Sequence, residues 1–220
     1  MPSNNTLVLA HYYTLPEVQE MADYVGDSLE LALIAKRESA QRIVLAGVKF
    51  MGETLKIINP ESTIIIPDER STCSLVEQTN VDDLKNWVDS YRLNKDGIIY
   101  EHVSYINSSA EHKAISDWIV TSRNVAEIIQ HIYDKGNKVI FSPDRNMGQY
   151  LNYINNYNMP TWFAVCEVHD KFSEFHIRAI IENPENSKTV YLIAHPESPL
   201  PVLKHANLVG STSMPGRRPR

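Results

Sequence analysis

Two residue types that bind metals or attack electrophiles meet in the segment TWFAVCEVHD, residues 161–170, where His169 follows Cys166 by three positions. A thiol and an imidazole so placed suit a metal ion, or a thiolate with its own base. The same pair also occurs as a buried thiol beside a surface histidine. The apolar run 162–165 is short enough for a buried strand, with the polar groups falling where that strand ends. Cys73 is the other of only two cysteines in 220 residues, which rules out a disulfide scaffold. Both thiols are therefore expected free, in a reduced and cytoplasmic protein.

These groups need elements to position them. Strands are predicted over residues 7–10, 42–46, 63–66, 98–103, 138–141 and 189–194, most of them running into polar residues such as His11, Tyr105 and His195. Between them lie helical patterns. Pro16 opens one whose apolar positions Val18, Met21, Ala22 and Val25 recur at helical spacing until Gly26 stops it. Asp27 or Ser28 caps the next, which carries Leu29, Leu31, Ala32 and Leu33. Further helices are expected over 47–58, 81–92, through Ala114, over 125–133 with Thr121-Ser122 as the cap, over 147–153 and over 174–182. Strands alternating with helices imply α/β units with parallel sheets, whose ligands sit in the loops after the strands' carboxyl ends.

Composition narrows the partners. A net charge of −6 gives no basic face for nucleic acid. No apolar run approaches the roughly 18–20 residues of a membrane span. The N-terminus lacks the basic and apolar regions of a secretory signal.

The chain also repeats itself. Residues 9–28, LAHYYTLPEVQEMADYVGDS, align with residues 193–212, IAHPESPLPVLKHANLVGST, at a constant offset of 184. At an offset of 94, Tyr105 falls on His11, Asn107 on Tyr13, Asp117 on Asp23 and Ser122 on Ser28. Cys73 and Cys166 are 93 apart, so each thiol holds the equivalent place in its own copy. Three such units around a pseudo-threefold axis would turn their strand ends, with one cysteine each, toward a common centre. The period puts a third cysteine near position 256, beyond the 220 residues of this chain.

The blocks HYYTLPEVQEMADYVGDSLELA, GVKFMGETLKIINPE with PDERSTCSL, YINSSAEHKAISDWIVTS, SPDRNMGQYL, CEVHDKF and HPESPLPVLKHANLVGSTS resemble quinolinate synthase, in order, over about residues 7–213. The resemblance implies repeated three-layer α/β/α sandwich domains with parallel sheets around a central cleft. Their limits here would be residues 1–97 with Cys73, residues 98–187 with Cys166, and residues 188–213 as the start of a third. It implies an enzyme, a transferase that condenses iminoaspartate with dihydroxyacetone phosphate to quinolinate for NAD biosynthesis. An L-aspartate-oxidising enzyme would supply the imine. A [4Fe–4S] cluster, one cysteine per domain, would serve as Lewis acid, with Cys73 and Cys166 as two of its ligands.

Carried over by matching motif, His11, Tyr13, Tyr105, His195 and Glu197 would be catalytic. His11, Ser28, Tyr105, Asn107, Ser122, His169, His195, Glu197, Ser211 and Thr212 would bind substrate. Helix N-termini at 26–28, 121–122 and 210–212 would receive phosphate or carboxylate. His102, His112, His131, His176 and His205 match no motif and are expected at the surface. Asp23, Asp27 and Asp117 are expected to cap helices or add surface charge.

After GSTS the chain ends in MPGRRPR, residues 214–220, which reads as a basic tail foreign to the family. The expectation is a truncated third domain lacking the third cysteine. The alternatives are then a quinolinate synthase or a remnant without activity that still binds a small phosphorylated or dicarboxylate ligand. A mononuclear metal on Cys73, Cys166 and a histidine is a further alternative.

Overall fold

Short buried strands, each followed by a helix, build the chain, and the computed structural model describes residues 5–93, 97–183, 186 and 190–211. The first sheet contains β1 (Thr6–His11), β2 (Tyr24–Gly26), β3 (Arg42–Ala46) and β4 (Thr63–Ile65) in the order β2-β1-β3-β4, all parallel. Helices α1 (Pro16–Gln19), α2 (Ser28–Glu38) and α3 (Lys49–Ile58) connect its strands. Leu9, Ile43 and Leu45 from the sheet and Leu31, Ala35 and Leu55 from α2 and α3 form its core. A single turn, α4 (Ser74–Glu77), and the longer α5 (Val81–Arg92) lead to the second sheet.

That sheet has the order β6-β5-β7, again parallel, from β5 (Tyr100–Tyr105), β6 (Trp118–Val120) and β7 (Lys138–Ser142). Helices α6 (Ala110–Ala114) and α7 (Val125–Asp134) join its strands, and α8 (Arg145–Asn155) follows. Val103, Ile129, Val139, Ile140 and Phe141 fill its core. The third unit follows α9 (Glu174–Ile181) and pairs β8 (Ile193–Ala194) with β9 (Leu208–Val209) in parallel across α10 (Leu200–Leu203). The expected α/β class with parallel sheets is the observed one.

The internal repeat is visible in the strand register. Leu9 pairs with Tyr24, Val103 with Trp118 and Ile193 with Leu208, so the partner strand starts the same distance downstream in all three units. In each unit this partner is an element that periodicity does not find, and in the first it is read as helix. Val25 reads as the end of a helix, but the helix stops at Gln19 and residues 24–26 form β2. Backbone pairing outweighs the helical spacing here, and one side chain anchors it. The Asp23 carboxylate accepts the Val8 N–H at 2.7 Å while the Asp23 N–H donates to the Val8 carbonyl at 2.8 Å. Asp117 does the same to His102, and Asn207 to Leu192. Asp23 and Asp117 are exposed, but they clamp strands and do not cap helices. Asp27 does cap, in a capping box with Glu30 at the start of α2.

Three further differences matter. The predicted strand over 162–165 is reduced to isolated parallel bridges, Phe141 with Thr161 and Asp144 with Ala164, because Pro143 offers no N–H to continue the ladder. Gly148 lets α8 lie against this segment, since a Cβ there would collide with Thr161. Helix α7 begins at Val125 with Asn124 in the cap position, and Asn124 Oδ1 accepts the Thr121 N–H at 2.7 Å, so Thr121-Ser122 is not its cap. Finally, His102 and His112 are fully buried. Their rings stack 5.7 Å apart, and both Nε2 atoms reach the buried Ser142 hydroxyl, at 2.6 and 2.7 Å. They are core residues bound into a polar network, whereas His131 and His176 are exposed as expected and His205 is half-buried against Glu174. Residues 94–96, which fall in the first expected domain, residues 184–185 and 187–189 at the second domain boundary, Thr212 and the basic tail lie outside the described residues.

Candidate functional site

In the first two sheets the chain places the next strand on one side of the first and the strand after that on the other, β2 and β3 beside β1, β6 and β7 beside β5. The carboxyl end of such a strand is a topological switch point, where loops part and leave a crevice. His11 ends β1 and Tyr105 ends β5, while His195 follows β8 directly. All three open on one cavity of about 730 Å³. Tyr13, Ser28, Asn107, Ser122, His169, Glu197 and Ser211 line it too, together with both cysteines. Every described residue singled out in the sequence as a site residue therefore meets at one place.

Glu197 is the centre of the polar contacts. It is 4% exposed. Its Oε1 accepts the Tyr105 hydroxyl at 2.7 Å and the Asn107 amide at 3.2 Å, and its Oε2 lies 3.2 Å from His169 Nδ1. The same His169 nitrogen is 3.1 Å from Cys166 Sγ. Burial disfavours charge on both partners, but their contact outweighs it. Glu197 is held down to about 2 by His169, His195 and Tyr105, and His169 is raised to about 10 by Cys166 and Glu197. A second buried carboxyl, Asp144, is pushed well above the usual range by burial and by the Glu197 charge. Of the two, Glu197 holds the negative charge and Asp144 the proton. Tyr105, fully buried beside Glu197, is likewise raised and stays a hydroxyl donor.

The strand-end histidines have a different state. His11 Nδ1 accepts the Tyr13 N–H at 3.3 Å and His195 Nδ1 accepts the Glu197 N–H at 3.4 Å. An Nδ1 that accepts leaves the proton on Nε2. Burial lowers both histidines below their ordinary value, against the pull of nearby carboxylates, so both are neutral Nε2–H donors at neutral pH. Cys73, half-buried between the two cores, is raised to about 11 by burial, with Glu197 and Asp144 adding to it. It stays a thiol until a cation displaces its proton. Both cysteines are free.

Several residues that hold the site were not foreseen. Gln78 grips the backbone of Val165 from both sides, Nε2 to its carbonyl at 3.1 Å and Oε1 from its N–H at 3.0 Å. Ser74 adds bonds to Val165 and Glu167. The segments of Cys73 and Cys166 are thereby joined. Asn146 donates to the Glu197 carbonyl and to Asp170, both at 3.0 Å. Its motif, SPDRNMG, is visible in the sequence, but nothing in it tells that the side chain reaches 51 residues ahead. Arg123 brings a guanidinium to the cavity wall beside Ser122. At α2 the N–H groups of Leu29 and Glu30 are taken by Asp27, so an anion there depends on the Ser28 hydroxyl more than on helix amides.

Among the described residues no helix is long and apolar enough to cross a membrane. The family model described as quinolinate synthetase A protein matches residues 2–215. The chain is 43% identical over 208 residues to a quinolinate synthase of Prosthecochloris aestuarii, covering 94% of this chain and 62% of that protein. It is 42% identical over 209 residues to one of Microcystis aeruginosa, with 95% and 62% covered. To one of Chlorobium phaeobacteroides it is 44% identical over 209 residues, with 94% and 61% covered. The chain thus spans about six-tenths of the length of these relatives. The matched residues 2–215 include the strand ends and both cysteine segments, and the chain belongs to the quinolinate synthetase A family.

Proposed function

We propose that the cavity is the part of a quinolinate synthase site built by this chain, taking iminoaspartate and dihydroxyacetone phosphate as substrates. The observation that carries the reading is the convergence of His11, Tyr105 and His195, from three separate units, on one cavity with both thiols. Two free thiols lining one cavity suit an iron–sulfur group, and Cys73 and Cys166 would hold a [4Fe–4S] cluster. No further cysteine of this chain can complete it. When bound, the cluster supplies an iron that acts as a Lewis acid on a substrate oxygen.

The chain's own residues supply the rest. Neutral His11 and His195 donate Nε2–H to carbonyl or carboxylate oxygens. The Glu197 carboxylate, ionised and fixed by Tyr105 and Asn107, keeps His169 charged as a proton donor. Imine and enol steps need such donors beside the substrate. Ser28, Ser122 and Ser211 offer hydroxyls, with Arg123 adding positive charge, for a phosphate or carboxylate. Iminoaspartate would come from an enzyme that oxidises L-aspartate.

The test is anaerobic reconstitution with iron and sulfide, followed by iron analysis and an assay for quinolinate. Product formation supports the reading, and Glu197→Gln then lowers the rate by about 100-fold or more. A folded chain that binds a dicarboxylate but forms no quinolinate is a binding remnant and overturns it.

A further inference from the structure

We propose that Ser74 and Gln78 are positioning residues for the thiol pair: from the turn that starts at Cys73 they clamp the backbone on both sides of Cys166, and so fix the relation of the two thiols before anything binds them. The observation is a set of four hydrogen bonds between residues 87 to 93 positions apart. Gln78 Nε2 donates to the Val165 carbonyl at 3.1 Å, and its Oε1 accepts the Val165 N–H at 3.0 Å. Ser74 Oγ donates to the same carbonyl at 3.1 Å and accepts the Glu167 N–H at 3.0 Å. The donors and acceptors balance. The carbonyl has two lone pairs and takes two donors, while the hydroxyl gives its one proton and receives another.

The clamp falls where the backbone lacks other partners. Residues 161–164 lean on β7 through the bridges at Phe141 and Asp144, and the Ala164 carbonyl accepts the Arg145 N–H at 2.8 Å. At Val165 no strand continues the pairing among the described residues. The Gln78 carboxamide carries the same donor and acceptor as a peptide group and takes the place of one. Cys166 thus lies between two gripped neighbours, and its own carbonyl accepts the Asp170 N–H at 2.9 Å. On the other side, the Cys73 carbonyl accepts the N–H groups of Val76 and Glu77 at 2.9 and 3.0 Å. Leu75, fully buried in the second core, seats this turn. A single turn, α4 with its two end residues, therefore carries one thiol and grips the segment of the other.

Outer contacts that fix ligands raise affinity for what the ligands hold, because less freedom is lost on binding. For the identity of that group the inference rests on the synthase reading, whereas the clamp itself stands on the four bonds.

The experiment titrates the full chain, reduced and free of metal, with phenylarsine oxide. This trivalent arsenical exchanges its oxygen for two thiol sulfurs that stand together, with loss of one water. One arsenic per chain, with both thiols then closed to a thiol reagent, is expected. Ser74→Ala and Gln78→Ala each weaken this capture by about tenfold or more, and Ser74→Thr, which keeps the hydroxyl, retains it. Asn80→Ala removes the cap of α5 and leaves the clamp, so it lowers stability without changing capture. Circular dichroism checks that each variant folds. After anaerobic reconstitution with iron and sulfide, the two alanine variants at the clamp should also release iron to a chelator about tenfold faster. Capture of no arsenic by the paired thiols, capture indifferent to both clamp variants, or an equal loss in Asn80→Ala would overturn the inference. A chain whose arsenic capture follows the clamp but which takes up no iron and sulfide keeps the clamp and loses the synthase reading. A chain that makes quinolinate, with arsenic capture and iron release unchanged by either variant, does the reverse.

Discussion

A serine hydroxyl has one proton, and Ser142 faces two imidazoles, so the buried trio must be ordered. His102 Nδ1 sits 3.3 Å from the Ile115 carbonyl and donates to it, which makes its Nε2 the acceptor of the Ser142 proton. His112 must then donate Nε2–H to the same oxygen. Both imidazoles are neutral, and burial lowers His102 to about 4 and His112 to about 3. The unfolded chain binds protons that the folded one refuses, so this stability is whole above about pH 6.5 and is lost as pH falls toward 4 and 3. Each histidine costs about 2 kcal/mol between pH 7.5 and pH 5. His169 acts with the opposite sign: its raised value gives stability that is full below about pH 6.5 and lost as pH rises toward 10. Urea titrations of wild type and His112→Gln isolate the first effect. The variant should lose about 2 kcal/mol less than wild type over that acid step, and parallel losses would refute the assignment. Cys73 allows a second check. With its thiol raised to about 11, its alkylation by iodoacetamide in the metal-free chain should rise through pH 9 and beyond, without a plateau near pH 8. A midpoint near 8 would show that burial does not control it.

The clamps at Asp23, Asp117 and Asn207 carry the lesson of the elements. Each pairs a side-chain oxygen and an N–H with one residue in, or directly before, the unit's first strand, and so fixes where the short partner strand begins. Asp23→Ala should destabilise the chain by about 1 kcal/mol. Asp23→Asn should cost less, because Asn207 does the same work with an amide. An aspartate acting only as surface charge would leave both variants alike, and thermal or urea unfolding distinguishes the cases. The sequence already shows these positions as equivalent, since Asp23 and Asp117 align in the repeat, but it does not show what they bind. Helices α5 and α7 and strands β3 and β7 were legible because their apolar periods are long and their ends marked. Strands β2, β6 and β9 were not, since two or three residues hold no readable period and their stability comes from a neighbour that local pattern does not reveal. The buried histidines escaped notice for a related reason: imidazole in a core depends on a partner, Ser142, that lies 30 and 40 residues away.

At the scale of the molecule, the three units meet through polar contacts at their strand ends more than through a shared apolar core. The first two have their own cores, with Cys73 touching both. Gln78 and Ser74 join the first to the segment of Cys166, so the site residues were legible as motifs while the residues that bring them together were not. The third unit is held differently. Among its described apolar side chains only Pro196, Val202 and Leu203 are fully buried, while Glu197 and Ser198 are buried polar groups. Its attachment near the cavity rests on Glu197, through Tyr105, Asn107 and the Asn146 bond to its carbonyl. Segments with few buried apolar contacts open locally, at less cost than global unfolding. Asn146→Ala removes a buried donor and leaves the Glu197 carbonyl unpaired, a loss of about 1–3 kcal/mol. That loss should fall on the third unit and on the turn at Asp170, which Asn146 also holds. Amide exchange in residues 190–211 is expected to accelerate by about tenfold or more, the kinetic equivalent of about 1.4 kcal/mol, while β1, β3, β5 and β7 keep their protection. Uniform acceleration over all strands would mean that the third unit opens only with the whole molecule, and that the strand-end contacts are not what docks it.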